Sequence, residues 1–305
     1  MPTAVDHLTR DFIGYGRRPP AADWPNSARL ALNFVLNVEE GAEQSIPDGD
    51  RASETGLADG VGDAIGGRDL AAESVFEYGS RVGFWRIENL FRQRAIPLTV
   101  FACAQALERN PEICAAIRGQ DYDVCAHGLR WVQHRELSLD EERRQIAQAV
   151  ASISRDIGVR PRGWYCRYGP SLNTRKLIVE EGGFLYDSDA YNDDLPYWRS
   201  VAGRPHLVLP YTRVHNDAQF LRGNMATGRD FFSYLRDAFD FLLHEGGTQP
   251  RMMTVGVHAR IMGHPGRAAG LERFIDHVAK RSGVWVCRRI DIAEHWASAH
   301  PGHTR

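Results

Sequence analysis

Short apolar runs of strand length alternate with longer amphipathic segments along most of the chain. The runs predict strands at Leu30–Val38, Ile96–Cys103, Asp121–His127, Gly163–Arg167, Phe184–Ala190, His206–Tyr211, Met252–His258 and Val284–Cys287. Apolar positions spaced three or four apart predict helices at Gly79–Arg94, Leu139–Asp156, Leu172–Glu181, Asp230–Glu245, Gly266–Arg281 and Asp291–Trp296. This alternation predicts an α/β fold with a mainly parallel sheet, either open or closed into a barrel.

One long segment, residues 41–69, breaks this alternation directly after the first predicted strand. It is rich in Gly, Asp, Ser and Glu, yet it also contains Ile46, Leu57, Val61 and Ile65. Apolar side chains of this kind need a surface to pack against. We therefore expect a lid or a subunit arm rather than a disordered tail. We find no internal repeat and no domain boundary, so residues 1–305 are expected to form a single catalytic domain.

Composition excludes several functional classes. The 305 residues are 43% hydrophobic and 25% charged with a formal net charge of −2, which is typical of a soluble globular protein. A nucleic-acid partner would require a strongly basic surface, and a membrane span would require about 18 consecutive apolar residues. The N-terminal ten residues lack the apolar core of a secretory signal. The five cysteines include no CxxC motif, and Cys103, Cys125 and Cys287 lie inside apolar runs, which predicts reduced core residues. We therefore expect a cytoplasmic protein with a small-molecule substrate.

Polar side chains that could act in catalysis or ligand binding follow the predicted strands. They are Glu39, His127, Arg167, Asp187 or Asp189, and His258. In a βα barrel the carboxyl ends of the strands form the rim on which active sites are built. Glu39 and its neighbour Glu40 could activate water or bind a metal, although a solvated turn is an alternative for both.

The basic candidates have several possible roles. His258 could protonate a leaving nitrogen because an imidazole titrates near working pH, and His127 could be catalytic, a metal ligand or structural. Arg167 offers a planar fork of donors for an oxyanion. A compatible alternative is that Arg167 pairs with Asp187, Asp189 or Glu39.

Nine stretches together resemble one known superfamily over nearly the full length of the chain. They are Asp11–Pro20, Phe34–Gly41, Glu77–Trp85, His127–Trp131, Gly163–Tyr165, Asn173–Arg175, Glu180–Asp189, Asp193–Trp198 and Val284–Ala293. The chain resembles the polysaccharide deacetylases, and more closely the branch of metal-independent bacterial allantoinases and cyclic imide hydrolases. The resemblance implies a distorted (β/α) barrel and a homotetramer.

The resemblance also bears on a metal cofactor. In polysaccharide deacetylases an upstream Asp and a His-x-x-x-His pair bind the catalytic metal. Here Trp131 stands where the second His is expected, and an indole N–H is only a donor. Asn37 and Glu39 stand where the family has its first-strand Asp motif. No cofactor is therefore expected; if a divalent metal such as zinc binds, it binds weakly through Glu39 and His127.

These features predict a hydrolase that opens a small cyclic amide, such as a cyclic imide or a hydantoin like allantoin. Glu39 is the expected base, Arg167 the oxyanion donor, and His258 or His127 the acid. Substrate contacts are expected from Glu40, Trp131, Tyr168, Trp198 and His264. Two alternatives stay open: a metal-dependent N-deacetylase of an amino sugar or oligosaccharide, and a non-enzymatic binding protein.

Overall fold

The computed structural model describes residues 8–302. Residues 1–7, which belong to the segment predicted to carry no secretory signal, lie outside the described residues, as do residues 303–305. The strands are β1 (Leu30–Val38), β2 (Thr99–Ala102), β3 (Asp123–Ala126), β4 (Gly163–Trp164), β5 (Tyr186–Asp187), β6 (Tyr197–Val201), β7 (Arg204–Val208), β8 (Arg251–His258) and β9 (Val284–Cys287). The helices are α1 (Leu70–Tyr78), α2 (Phe84–Gln93), α3 (Ala104–Arg109), α4 (Pro111–Gly119), α5 (Leu139–Ile157), α6 (Thr174–Glu181), α7 (Ala218–Leu221), α8 (Gly228–Glu245), α9 (Ala259–Met262), α10 (Pro265–Val278) and α11 (Arg289–Ala299).

Within the described residues the strands form one curled sheet in the order β6-β7-β5-β4-β3-β2-β1-β8. Its neighbouring pairs are parallel except β6 and β7, which are antiparallel. Strand β1 pairs with β8 along one edge. Along its other edge, β1 pairs with β9 in its first half and with β2 in its second half. Every residue of β1 is buried, which explains why its sequence is a continuous apolar run rather than an alternating one.

The curled sheet with its surrounding helices confirms the predicted α/β class and the distorted (β/α) barrel. In the sheet order β7-β5-β4-β3-β2-β1-β8 all the strands are parallel, so their carboxyl ends lie on one rim. Helices α8 and α10 pack on each other, and Phe239 of α8 contacts Phe274 of α10 edge to face with ring centroids 5.9 Å apart. The rim is thus supported by a packed layer of helices.

The helical region before β2 differs from the prediction of one helix over Gly79–Arg94. The structure has α1, a π-helical turn at Gly79–Gly83, and then α2. Asp69 begins α1 by accepting hydrogen bonds from the backbone N–H groups of Ala71 and Ala72. A Cβ on Gly79 would lie 2.6 Å from Cγ of Glu40. Glycine at this position lets the turn approach the rim closely, a geometry that the helical pattern alone does not predict.

Residues 41–69, hereafter the rim segment, fold back against the barrel. Ala52 forms an isolated β-bridge with Gly67. Four carboxylates of the segment pair with arginines of the barrel, namely Asp48 with Arg109, Asp50 with Arg130, Glu54 with Arg167, and Asp59 with Arg267. Of the apolar residues of the segment, Leu57 and Val61 pack against the hydrophobic core, whereas Ile65 is 54% exposed. Its motion as a lid, or its role as a subunit arm, stays a prediction.

The described residues bear on two further expectations. All five cysteines are buried and free, which confirms the prediction made for Cys103, Cys125 and Cys287. None of the helices between residues 8 and 302 has the length and apolar character needed to cross a membrane.

Candidate active site

The rim brings three predicted residues together, with two histidines beside the carboxylate of Glu39. Glu39 follows β1 and is buried, with 1% of its surface exposed. Its Oε1 atom lies 3.1 Å from Nε2 of His127, which follows β3. The same oxygen lies 3.7 Å from Nε2 of His258, the last residue of β8. Three strand ends therefore supply one cluster of a carboxylate and two imidazoles.

Both histidines are held through Nδ1, and both direct Nε2 at Glu39. Nδ1 of His127 lies 3.2 Å from the carbonyl oxygen of Tyr165, which can only accept a hydrogen bond. Nδ1 of His258 lies 2.6 Å from Oδ1 of Asp217, and the backbone N–H of His258 donates to Oδ2 of the same carboxylate at 2.7 Å. A histidine held in this way by a buried carboxylate is well suited to acid–base chemistry.

Asp217 is a site residue that sequence reasoning missed. It is fully buried and lies in the irregular segment between β7 and α7. No apolar period leads to it, and its partner is 41 residues away. The sequence therefore carries no local signal that would pair Asp217 with His258.

Burial and neighbouring charges separate the titration of Glu39 from that of His258. Burial would raise the pKa of Glu39, but the positive charges of Arg260 and His258 outweigh it and hold the pKa well below its usual range. Burial would lower the pKa of His258, but the negative charges of Asp217 and Glu39 outweigh it and raise that pKa. The site therefore favours an ionised carboxylate beside a protonated imidazole.

Arg260 is a second residue that sequence reasoning did not assign. It is fully buried, and its Nη1 atom lies 2.8 Å from Oε2 of Glu39 and 3.1 Å from Oε1 of Glu40. Its Nε donates to the carbonyl oxygen of Leu57 in the rim segment at 2.8 Å. Arg260 follows His258 by two positions at the same strand end, and this proximity is the only sequence signal for it.

Two guanidinium groups make cation–π contacts with Trp131. The guanidinium carbon of Arg167 is 3.8 Å from a ring centroid of the buried indole, and that of Arg260 is 4.8 Å away. Nη1 of Arg167 also donates to Oε2 of Glu54 at 2.5 Å and to the carbonyl oxygen of Trp131 at 2.7 Å. Cation–π contacts and hydrogen bonds thus hold the tryptophan and both arginines together.

The predicted ion-pair partners of Arg167 were wrong. Arg167 pairs with Glu54 of the rim segment, whereas Asp187 forms a bidentate pair with Arg175 and also binds His206. The partner was not predictable because the rim segment has no periodicity that would indicate how it folds over the barrel.

The donors at the rim do not fit the catalytic metal that the resemblance would imply. Among residues 8–302 no group of three or more His, Cys, Asp or Glu side chains is arranged to hold a metal ion. Glu39, His127 and His258 are three potential donors, but Nε2 of each imidazole is directed at Oε1 of Glu39 itself, whereas the three ligands of a catalytic zinc surround one common point. The Asn37 amide donates to the hydroxyl of Tyr211 and to a strand carbonyl. Arg260 places a permanent positive charge beside Glu39, where it would repel a cation.

A pocket of about 450 Å³, including the open space at its mouth, lies over this cluster. The pocket is lined by Asn37, Glu39, Leu57, His127, Trp131, Tyr165, Arg167, Tyr168, Tyr211, Thr212, Arg213, Asn216, Ala218, Arg222 and His258. All four predicted catalytic residues belong to this lining, together with two of the five predicted substrate contacts.

Three predicted substrate contacts lie outside the lining. Glu40 lies behind Glu39, where its carboxylate contacts Arg260 and accepts the backbone N–H of Glu39. Trp198 is on β6, where its indole N–H donates to the carbonyl oxygen of His300 at 2.7 Å. The ring of His264 stacks on that of Tyr78 with centroids 4.3 Å apart. Their proposed contact with substrate has no support from this geometry.

Comparison with known proteins gives one family model that matches part of the chain and several relatives that match nearly all of it. A family model described as "Polysaccharide deacetylase" matches residues 69–186. A relative from Schizosaccharomyces pombe named "Putative polysaccharide deacetylase" is 38% identical over 315 residues, covering 96% of this chain and 98% of the relative. The crystal structure of a "probable Polysaccharide deacetylase" from Pseudomonas aeruginosa PAO1 is 47% identical with a TM-score of 0.93, covering 96% of this chain and 99% of that one. The crystal structure of PuuE allantoinase is 46% identical with a TM-score of 0.93, covering 98% of this chain and 100% of that one.

Proposed function

The chain belongs to the polysaccharide deacetylase family, and on this premise we propose that it is a hydrolase that opens a small cyclic amide ring. One observation carries the proposal. Glu39, ionised, and His258, held by Asp217, face the same pocket, so a base and an acid are both supplied by side chains. The similarity to PuuE allantoinase supports the same reaction class.

In the proposed reaction a water molecule attacks a ring carbonyl. Glu39 accepts a proton from the attacking water as the new C–O bond forms. His258 donates its proton to the ring nitrogen as the C–N bond breaks, and the product carries a carboxylate and a free amide, urea or amine nitrogen. His127 lies against Glu39 and orients the carboxylate. The proton on Glu39 then passes through solvent to His258, which restores the starting state of the site, and the new carboxylic acid releases its own proton to solvent to become the carboxylate.

The developing oxyanion needs donors that do not move during the reaction. Arg167 lines the pocket, and its buried Nε makes no hydrogen bond to any residue in the range 8–302. This N–H makes Arg167 the candidate oxyanion donor, with Glu54 and Trp131 holding the guanidinium in place. Loss of one such donor typically costs about 3–4 kcal/mol of transition-state stabilisation.

The main alternative is metal-dependent deacetylation of an N-acetyl amino sugar. The names of two relatives favour it, but the donor set at the rim does not match a catalytic zinc site. An imide or ureide nitrogen is also a much better leaving group than an ordinary amide nitrogen. Ring opening is therefore the reaction that a metal-free acid and base are better able to catalyse.

A substrate panel tests the proposal directly. Purified protein is dialysed against a chelator and assayed with allantoin, succinimide, glutarimide, hydantoin and dihydrouracil, and in parallel with N-acetylated chito-oligosaccharides. We expect ring opening of at least one cyclic amide, unchanged by the chelator and lost in Glu39→Gln. Acetate release that requires added zinc, with every ring left intact, would instead establish the deacetylase.

A further inference from the structure

The mouth of the pocket carries positive charge that the protein does not neutralise. Of the lining side chains Arg167, Arg213, Arg222 and the protonated His258 are cationic, whereas Glu39 alone is anionic. His258 is paired with Asp217. Arg167 is paired with Glu54, and Glu39 faces Arg260. Within residues 8–302, neither Arg213 nor Arg222 lies within ion-pair distance of a carboxylate. Two positive charges at the entrance are therefore available to a ligand.

Arg213 is held in one position although it is exposed. Its guanidinium carbon lies 4.4 Å from the ring centroid of Tyr191, and its Nη2 donates to the carbonyl oxygen of Tyr168 at 3.1 Å. The carbonyl oxygen of Arg213 itself accepts a hydrogen bond from the Gln219 amide. An arginine whose main chain and guanidinium group are both held in place loses less conformational entropy when it binds an anion.

The surface that holds Arg213 also forms the pocket wall. Tyr168 has a positive φ of 57°, a conformation that is unfavourable for a residue with a Cβ. This conformation presents its carbonyl oxygen to Arg213 while its ring packs against Arg167 and Trp131. Unfavourable backbone geometry of this kind is concentrated at ligand sites.

The arginines and the reacting atoms lie at different depths. Glu39 is 1% exposed at the bottom of the pocket, whereas Arg213 and Arg222 are exposed at the mouth. The carboxylate that ring opening creates forms at the attacked carbonyl, beside Glu39. An anion bound at the mouth must therefore belong to a substituent that points away from the reacting carbonyl.

We propose that Arg213 and Arg222 form a subsite for an anionic substituent, so that the substrate is a cyclic amide bearing a carboxylate side chain. This inference rests on the proposed function for the identity of the ring. A guanidinium fork matches the two oxygens of a carboxylate and binds it through charge-assisted hydrogen bonds. The subsite adds selectivity for charge to a pocket that otherwise selects for a small ring.

Equilibrium binding tests the subsite without requiring turnover. The Glu39→Gln variant is titrated calorimetrically with a hydantoin bearing an acetate side chain and with the matching carboxamide, which has the same shape and no charge. We expect the acetate to bind at least about tenfold more tightly, which corresponds to about 1.4 kcal/mol. Adding Arg213→Gln and Arg222→Gln to that variant should abolish the preference and leave carboxamide binding unchanged.

Two controls make the result specific. Arg236→Gln removes an exposed arginine of α8 that pairs with its neighbour Asp237, and it should leave the preference intact. Arg213→Lys keeps the charge without the fork and should retain part of the preference.

The opposing outcomes are distinct. Equal affinity for acetate and carboxamide, or an equal loss for both ligands in the arginine variants, would overturn the subsite. Failure of the wild-type protein to open any ring, with the charge preference retained, would overturn the proposed function and support the anion subsite.

Discussion

Glu39 is the residue on which the acid–base pair depends, because two imidazoles and a guanidinium converge on its carboxylate. Glu39→Gln keeps the shape and removes the basic oxygen. We expect kcat to fall by about 10²–10⁴-fold with KM nearly unchanged. Glu40→Gln should be much milder because Glu40 does not line the pocket. Steady-state kinetics on a ring that the wild type opens checks both, and full activity in Glu39→Gln would move the base to another residue.

Asp217 sets the proton affinity of His258. The negative charge of Asp217 raises the pKa of His258 against the effect of burial, and His258 acts in its protonated form. Asp217→Asn should therefore lower that pKa and shift the basic limb of the kcat/KM profile to lower pH. Asp240→Asn is a control because Asp240 also pairs with a histidine, through Nε2 of His277 at 2.9 Å, outside the pocket lining. An unshifted basic limb in Asp217→Asn would remove His258 from the role of acid.

Trp131 and Arg260 both disfavour the binding of a metal ion at the site. Trp131→His restores the third donor that the resemblance implies, yet Arg260 remains beside Glu39. Two like unit charges roughly 4 Å apart near a protein surface repel by about 4 kcal/mol. We expect calorimetry to show no stoichiometric zinc in Trp131→His and zinc binding in the double variant with Arg260→Met. Arg260→Met alone is the control, and tight zinc in Trp131→His alone would show that the arginine is no barrier.

At the scale of elements, the rim segment accepts hydrogen bonds from both arginines that contact Trp131. Glu54 binds Arg167, and the carbonyl of Leu57 binds Arg260. Glu54→Gln weakens the first contact, so we expect faster proteolytic cleavage within residues 41–69 and a rise in KM of about tenfold. Asp59→Asn removes the pair with Arg267, which does not line the pocket, and should leave KM unchanged. Rapid cleavage of the native wild-type segment with full activity would contradict its role at the site.

The sequence predicts best those elements whose burial requires a recognisable run of apolar residues. Strands β1 and β8 are buried along nearly their whole length, and their apolar runs predict them within about one residue. Glu39, His127 and His258 were recognisable because each directly follows or ends such a run. Helices α3 and α4 were missed, although the Asn110 side chain, which accepts the N–H of Ile113, and Pro111 mark the start of α4.

The contacts of the site were less predictable than its members. Asp217 and Glu54 reach their partners only because irregular segments fold back on the rim, whereas Arg260 lies in α9 directly after β8 and meets Glu39 across the rim. Their positions follow from packing across long sequence separations, and no periodicity encodes them. The sequence therefore predicts which strands deliver the chemistry, whereas the partners that tune it require the three-dimensional structure.

At the scale of the whole molecule, the homotetramer stays a prediction. Phe12 and Ile13 are 79% and 83% exposed, and Phe241 on α8 is 69% exposed. Large exposed apolar side chains are common at subunit contacts. Light scattering on purified protein should give a mass near four times 34.3 kDa, and Phe241→Asp should shift it downward if α8 contributes a contact. A monomeric mass at micromolar concentration would exclude stable assembly.

The contacts of Trp131 with Arg167 and Arg260 make these three side chains interdependent. Histidine at position 131 would still face the charge of Arg260, and loss of Arg260 alone would leave two buried carboxylates, Glu39 and Glu40, without their counter-charge. The effects of substitutions at positions 131 and 260 should therefore be non-additive, so that neither position can be exchanged as an independent part.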